Sequence, residues 1–204
     1  MDKEKLSGNT ICYESGKIRG RRLQEAETIG GISCAAGSWA WFHENGRLSS
    51  CEPVDDIAVE GINCKAGSRV YFHGNGCLRQ CNIPKDALIT GVPVCSTTFV
   101  LFHENSRLAA CRLSADYTHQ EISCMSGRWI GFHNDGSLKR CFAAKDKKIN
   151  GLMIRKGVWA SFHMNGSIDT YRMTENAVVQ GRDCRPGDIL VFDIEGRLME
   201  RIRM

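Results

Sequence analysis

The stretch that decides the fold is Val70-Tyr71-Phe72-His73-Gly74-Asn75-Gly76-Cys77-Leu78, in which an Asn-Gly pair lies between two short apolar arms. Asn-Gly in this setting is the strongest short-range signal for a β-hairpin, because both residues accept the left-handed backbone of tight turns. The Phe-His pair before it occurs five times at a constant spacing of 30 residues, at Phe42-His43, Phe72-His73, Phe102-His103, Phe132-His133 and Phe162-His163. An unbroken period indicates a tandem repeat whose units all pack in one geometry.

The hairpin element extends beyond the Phe-His pairs, since a degenerate copy precedes them at residues 12–18 and a last copy surrounds Gly196. Counting both gives seven turn elements, and the outermost two lack the Phe-His pair. Terminal units of a repeat stack commonly depart from the consensus in this way. We therefore predict an N-terminal lead-in over residues 1–10 and a single β-repeat domain over residues 11–204, with about six to seven units and degenerate terminal caps.

Apolar residues alternate around the turn with the period of a strand, and no segment has a helical period. The Phe and the residue two before it are apolar in every unit, which predicts that they form the core. Leu48 and Cys51 continue an apolar rhythm in the second arm. Later in each unit the apolar pattern slips by one residue at a Gly such as Gly61, which we interpret as a β-bulge or bend. The predicted fold class is all-β.

Two all-β architectures suit a 30-residue unit of this kind. In the favoured one, each unit is a bent β-hairpin and the units form an antiparallel meander, because two strands per unit let every unit point the same way. In the alternative, each unit is one coil of a β-solenoid, and equal residues of successive coils stack into ladders. The sequence pattern leaves both open.

The hairpin element, an aromatic-aromatic or aromatic-His pair followed by x-Asn-Gly-x-Leu, resembles the variant form of the MORN repeat (membrane occupation and recognition nexus), a family of stacked β-hairpins. The resemblance covers about ten residues of each 30-residue unit. It implies an elongated hairpin stack, MORN-like in construction, that acts as an adaptor toward proteins or lipids.

Composition and charge bear on the class of partner and on the compartment. The chain has 204 residues, of which 42% are hydrophobic, and carries a formal net charge of +4 with basic and acidic residues mixed along it. A mixed charge pattern gives no indication of a nucleic-acid partner. The N-terminal residues lack an apolar run of the length of a signal peptide or membrane span, so we expect a cytoplasmic protein whose 11 cysteines are reduced thiols.

The face opposite the predicted core carries an aromatic and imidazole stripe. Strand alternation assigns to it Trp39, Trp41, His43, Tyr71, His73, Phe99, His103, Trp129, His133, Trp159 and His163. One interpretation is a half-buried packing layer in which His edges hydrogen-bond neighbouring backbone. The other is a groove for a ligand or partner, since Trp, Tyr and His are amphipathic side chains favoured at interfaces. These residues form the predicted binding site.

The sequence predicts no metal site, no cofactor and no catalytic residue. It lacks paired Cys or His ligands at zinc spacing, and it lacks phosphate-binding and dinucleotide motifs. Any Cys–His pair would recur in several units, whereas an active site is one asymmetric constellation. We therefore expect a non-enzymatic scaffold that binds a protein or an extended ligand, with a membrane surface as a less favoured partner.

Two other functional hypotheses stay open. A small-molecule enzyme would use one cleft with His103, His119 or His133 as acid or base, and His119 is notable because other units have Ile or Val there. A self-assembling structural protein would form homo-oligomers through exposed edge strands, whose backbone groups are available for pairing.

Overall fold

The computed structural model describes the backbone of residues 5–203 and the side chains of residues 8–203. Residues 1–4 of the expected lead-in and residue 204 lie outside this range. The chain divides into two compact units. The first comprises the residues up to Ala87 together with Ser96–Leu108, and the second comprises Leu88–Cys95 together with the residues from Ala109 onward.

The described residues contain short strands and no helix, which confirms the all-β prediction. In chain order the strands are β1 (Lys5–Ser7), β2 (Thr10–Cys12), β3 (Ile18–Arg22), β4 (Glu27–Ile29), β5 (Ile32–Cys34), β6 (Trp39–Phe42), β7 (Leu48–Cys51), β8 (Ile57–Val59), β9 (Ile62–Cys64), β10 (Val70–Phe72), β11 (Leu78–Asn82), β12 (Ala87–Ile89), β13 (Val92–Val94) and β14 (Phe99–Phe102). They continue with β15 (Leu108–Arg112), β16 (Tyr117–His119), β17 (Ile122–Cys124), β18 (Trp129–Phe132), β19 (Leu138–Phe142), β20 (Lys147–Ile149), β21 (Leu152–Ile154), β22 (Trp159–Phe162), β23 (Ile168–Arg172), β24 (Ala177–Val179), β25 (Arg182–Cys184), β26 (Ile189–Phe192) and β27 (Leu198–Ile202).

Each unit has one main antiparallel sheet in which neighbouring strands follow one another along the chain. In the first unit the order is β1-β2-β3-β6-β7-β10-β11-β14, and in the second it is β15-β18-β19-β22-β23-β26-β27. Every repeat contributes two strands to this sheet, joined by the Asn-Gly element. The β-hairpin meander is therefore confirmed, and the β-solenoid alternative is wrong because the strands of successive repeats pair antiparallel within one sheet.

The predicted turns are present at all seven positions of the repeat. In each, the backbone N–H of the first turn residue donates to the carbonyl four residues on, as His43 does to Arg47 over 2.8 Å. The N–H of the fourth turn residue, which is Gly in six turns and Ser106 in the other, donates back to the carbonyl of the first residue, as Gly46 does to His43 over 2.8 Å. Gly46 has φ 83°, a left-handed conformation that costs Gly little. The turn is a type I turn followed by a left-handed residue, the usual three-residue hairpin loop.

The second half of each repeat forms a small two-stranded hairpin, such as β8–β9, outside the main sheet. The interpretation of Gly61 as a β-bulge is therefore wrong. Glu60 and Gly61 have φ 51° and 80° and form a two-residue turn with both residues left-handed. A slip of one residue in the apolar pattern accompanies a bulge or a reversal of the chain, and the alternation alone does not distinguish them.

The core lies between the inner face of the main sheet and the small hairpins. In the first unit, buried Leu23, Cys34, Ala40 and Cys51 pack with the partly buried Ile29, Ile32, Phe42 and Leu48. The predicted core positions are buried in the later repeats, at Val70, Phe72, Val100, Phe102, Ile130, Phe132, Ala160, Phe162, Leu190 and Phe192. Burial of these apolar faces at roughly 25 cal/mol per Å² is the main stabilising contribution.

Glu121 is the one residue in these small-hairpin turns that stands in the second left-handed position without being Gly. Its φ is 65°, and its ion pair with Lys147 (3.2 Å, carboxylate side chain 86% exposed) contributes little. We expect Glu121→Gly to raise the unfolding free energy by about 0.5–1 kcal/mol in urea titrations, because relief of the left-handed strain exceeds the added chain entropy.

The matched control is Gly151→Glu in the next small hairpin. Its φ is 84°, and a Cβ there would meet nothing within 4 Å, so the substitution tests backbone conformation alone. It should lower the unfolding free energy by about 1 kcal/mol. Equal stability of Glu121→Gly and the wild-type chain would contradict this account of the turn.

Candidate functional site

The repeated histidines join consecutive repeats. At four of the five positions, Nε2 of the imidazole lies within hydrogen-bond distance of the carbonyl oxygen of the Phe one repeat on. The pairs are His43–Phe72 at 3.0 Å, His73–Phe102 at 2.9 Å, His133–Phe162 at 2.8 Å and His163–Phe192 at 2.9 Å. A carbonyl only accepts, so Nε2 carries the proton and donates. At these four positions the geometry matches the packing-layer interpretation of the imidazoles.

Two further side chains make the same kind of link. The Tyr13 hydroxyl donates to the carbonyl of Phe42 over 2.7 Å and so takes the place of His in the degenerate first copy. Asn45 Nδ2 donates to the carbonyl of Gly74 over 2.8 Å, and Asn75 Nδ2 donates to that of Glu104 over 2.8 Å. The turn residues therefore have two functions, closing their own hairpin and satisfying carbonyls of the next.

The predicted aromatic side chains lie on the outer face of the main sheet of each unit. Phe99 is exposed at 39%, and the other predicted site residues are half-buried, namely Trp39, Trp41, His43, Tyr71, His73, His103, Trp129, His133, Trp159 and His163. The four tryptophans of the chain are all among them. None of these tryptophans belongs to the core between the main sheet and the small hairpins.

Residues directly opposite one another form rows across this outer face. In the first unit one row runs Gly20, Trp41, Ser50, Tyr71, Gln80 and Leu101. Trp41 lies over Gly20, where an added Cβ would come within 2.7 Å of the indole ring. Trp41 also stacks on Trp39, with ring centroids 5.4 Å apart. Gly20 therefore lets a large ring lie flat against the sheet.

A shallow cleft of about 330 Å³ opens on this face of the first unit. Its lining residues are Tyr13, Arg19, Trp41, Phe42, Ser49, Ser50, Arg69, Tyr71 and Arg79. The guanidinium of Arg79 lies 5.3 Å from the centroid of the Tyr71 ring, and that of Arg19 lies 5.9 Å from the centroid of the Tyr13 ring. Cationic groups stacked on aromatic faces are thus present on both sides of Trp41.

Arg69 is held at this cleft by one ion pair. Its Nη2 lies 2.7 Å from Glu52 Oε1. Its Nε is buried and has no hydrogen-bond partner in the part of the chain that the structure describes. A buried N–H without a partner costs free energy, and such groups are rare unless a ligand or water completes them.

Strand alternation from Tyr71 also places Arg69 on this face, but it missed Arg19 and Arg79. A signal for Arg79 was present. Leu78 and Cys81 are both core residues three positions apart, which strict alternation forbids, so a bulge must lie between them. The structure has that irregularity in the pairing of β10 with β11, and it places Arg79 on the outer face over Tyr71.

The outer face of the second unit differs at the equivalent positions. Gly131 and Ser161 stand where the first unit has Trp41 and Tyr71, and the aliphatic part of Arg140 lies against Gly131. Aromatic residues occur instead in the neighbouring row, where Phe142 is opposite Trp159 and Arg128 lies 5.2 Å from the Phe142 ring centroid. The cleft in the first unit is therefore a departure from the repeat pattern.

His119, a candidate acid or base of the enzyme hypothesis, packs among aromatic side chains. Its Nδ1 lies 3.3 Å from the Tyr117 hydroxyl, and its ring meets Phe132 edge-on at 5.3 Å between centroids. Burial lowers the pKa of His119 below its usual value, and its Nε2 is buried without a hydrogen-bond partner among the described residues. The side chain as a whole is half-buried, and its described contacts are with aromatic rings. His103, the candidate in the first unit, is half-buried at the start of its turn.

The thiols behave as small apolar groups in the core. Burial raises the pKa of Cys34 and Cys51, and it raises the pKa of Cys111 to about 12. A high pKa disfavours the thiolate, which is the reactive form. Within residues 8–203, no group of three or more His, Cys, Asp or Glu side chains could hold a metal ion. Over the same residues, the structure has no helix that could span a bilayer.

No protein-family model matches the chain, and no curated protein matches it. Two solved structures of the modular autolysin LytC from Streptococcus pneumoniae, one in complex with a synthetic peptidoglycan ligand, are similar over 98% of this chain at 12% identity and a TM-score of 0.15. The chain spans 47% of the length of those structures. Similarity at this TM-score bears neither on fold nor on function.

Tyr13→Phe removes one link between repeats with the least change in shape. We expect a loss of about 1 kcal/mol in the unfolding free energy, because the carbonyl of Phe42 loses that donor. Chemical denaturation followed by circular dichroism measures it. Tyr71→Phe, which removes a hydroxyl from the outer face, is the control and should change stability by less than about 0.3 kcal/mol. Equal effects of the two substitutions would contradict the role given to Tyr13.

Burial of the thiols predicts a stepwise reaction with a disulfide reagent. Cys12, Cys77 and Cys95 are half-buried, and the other eight cysteines are buried. In the reduced protein at pH 8, we expect a fast phase of no more than three thiols, with the remaining eight reacting only after unfolding in guanidinium. Absorbance of the released thiol measures both phases. A fast phase of six or more thiols would show that cysteines described as buried are accessible to the reagent.

Proposed function

We propose that this chain is a non-enzymatic β-repeat scaffold whose outer face binds a protein or another extended ligand. The observation that carries the proposal is the placement of the four tryptophans, which lie half-buried on the outer face and not in the core. Trp, Tyr and Arg are the residue types most enriched where binding energy concentrates in interfaces. A purely structural layer would not need large amphipathic rings beside arginines.

The histidines support this function indirectly. Because their Nε2 atoms are used between repeats, they fix the spacing of the strands that carry the aromatic rings. Binding sites on rigid elements hold their side chains in place before the ligand arrives, which lowers the entropy cost of association. In this proposal the aromatic rings and arginines contact the ligand, and the imidazoles hold the scaffold.

Self-assembly is a second candidate, favoured by one feature of the second unit. Strand β27 lies at the end of the main sheet order, and its Met199 and Ile202 are exposed at 62% and 41%. An edge strand with exposed apolar side chains can pair with another copy. Light scattering distinguishes this candidate, since a dimer mass that falls after Met199→Lys would favour pairing through the edge.

The binding proposal is tested by selecting random dodecapeptides displayed on phage against the wild-type chain and against a variant in which Trp39, Trp41, Trp129 and Trp159 are all replaced by Ala. We expect sequence enrichment with the wild-type chain only. The variant should keep its far-ultraviolet circular dichroism and a cooperative unfolding transition, because its substituted rings lie outside the core. Unfolding of the variant would contradict the proposal, and so would equal enrichment by the two proteins.

A further inference from the structure

The cleft of the first unit combines three guanidinium groups with one carboxylate. Arg19, Arg69 and Arg79 line it, and Glu52 pairs with Arg69, so the formal local charge is +2. The side chain of Arg79 makes no hydrogen bond or ion pair within the part of the chain that the structure describes, and its partner there is the face of Tyr71. Arg79 is therefore a cationic donor in the cleft that the described residues do not neutralise.

The shape of these donors suits carboxylates. A guanidinium presents parallel N–H groups that match the two oxygens of a carboxylate, and this pairing is stronger in a partly desolvated cleft than in water. Ser49 and Ser50 add hydroxyls to the lining, and Ser50 is 3% exposed. The donors are arranged around Trp41 and Tyr71, so an anionic group and an apolar group would be recognised together.

The distribution of charge distinguishes a peptide from a nucleic acid. The row across the first unit carries neutral Ser50, Gln80 and Leu101 beside its aromatic rings, so cationic groups do not follow one another along it. A phosphate backbone carries a charge at every nucleotide and calls for a continuous basic track. A peptide places isolated carboxylates between apolar side chains, which matches the alternation on this face.

The strand order sets the spacing of the carboxylates. Arg19 is on β3 and Arg79 is on β11, four strand spacings apart in the order β3-β6-β7-β10-β11. At roughly 4.8 Å per strand this is about 19 Å, which an extended chain covers in about six residues. The long Arg side chains reach inward and shorten the separation that a ligand must span.

We propose that the cleft of the first unit binds an internal acidic peptide segment of a protein partner, with two Asp or Glu side chains about four to six residues apart and apolar residues between them. The two carboxylates pair with Arg19 and with Arg79. The apolar residues contact Trp41 and Tyr71. This inference rests on the proposed function, because it names the ligand chemistry of the same outer face.

The test begins with the peptides enriched from the dodecapeptide library on the wild-type chain. The most enriched peptide is synthesised with blocked termini, together with a version in which each Asp or Glu is replaced by Asn or Gln. Binding is measured by the change in tryptophan fluorescence, which reports on the outer face because all four tryptophans lie there. We expect the acidic peptide to bind at least tenfold more tightly than its neutral version at low salt.

The variants separate the cleft from the rest of the face. Arg79→Gln should weaken binding of the acidic peptide at least tenfold. Arg79→Lys should weaken it less, because Lys keeps the charge but lacks the two parallel N–H groups of the guanidinium. Lys139→Gln is the matched control, since Lys139 occupies the position of Arg79 two repeats later and lies in the second unit. It should change affinity less than twofold.

The failures of the two proposals are distinguishable. If no peptide is enriched, the binding proposal itself is overturned. If peptides are enriched but bind equally in their neutral versions, or bind Arg79→Gln as tightly as the wild-type chain, only the carboxylate inference is overturned. Tighter binding of a dodecamer of oligothymidylate than of the acidic peptide would also overturn it. Binding that requires a free C-terminal carboxylate would assign the cleft to chain ends and contradict an internal segment.

Discussion

The structure depends on hydrogen bonds that pass from the turn of one repeat to the backbone of the next. His43, His73, His133 and His163 each donate to a Phe carbonyl one repeat on, and Tyr13 does so in the degenerate first copy. Each of these carbonyls belongs to the last residue of a strand. A fixed period follows, because an insertion of even one residue would move the donor away from its acceptor.

The two faces of the main sheet differ in how much their side chains vary between repeats. The inner face is closed by small hairpins and filled by side chains such as Ala40 and Cys51, so it tolerates little variation in volume. The side chains of the outer face differ among repeats, since Trp41 of the first unit corresponds to Gly131 of the second. The outer side chains can therefore differ between repeats while the packing on the inner face stays the same. The cleft of the first unit is one such difference.

Much of the fold could be predicted from the sequence, because the repeat supplied several independent copies of each signal. The Asn-Gly turns and the buried Phe positions follow from alternation and turn chemistry, and the antiparallel meander was the favoured of two architectures that the pattern left open. The small hairpins did not, since three-residue strands around Glu60 and Gly61 produce the same slip in pattern as a bulge. For the candidate site, alternation gave the aromatic residues, but Arg19 and Arg79 required knowledge of the strand order and of where the bulge turns a side chain outward.

Asp193 ends the column that the histidines form. It occupies the histidine position, but a carboxylate has no proton to give, and both of its oxygens accept from Arg197 of its own turn, at 2.8 Å from the backbone N–H and 2.7 Å from Nε. The links therefore run in one direction along the chain: Tyr13, His43, His73, His133 and His163 each donate to the repeat that follows, and Asp193 does not. Duplication of an internal repeat would keep the direction of donation, whereas a repeat inserted after Asp193 would receive no hydrogen bond from that side chain.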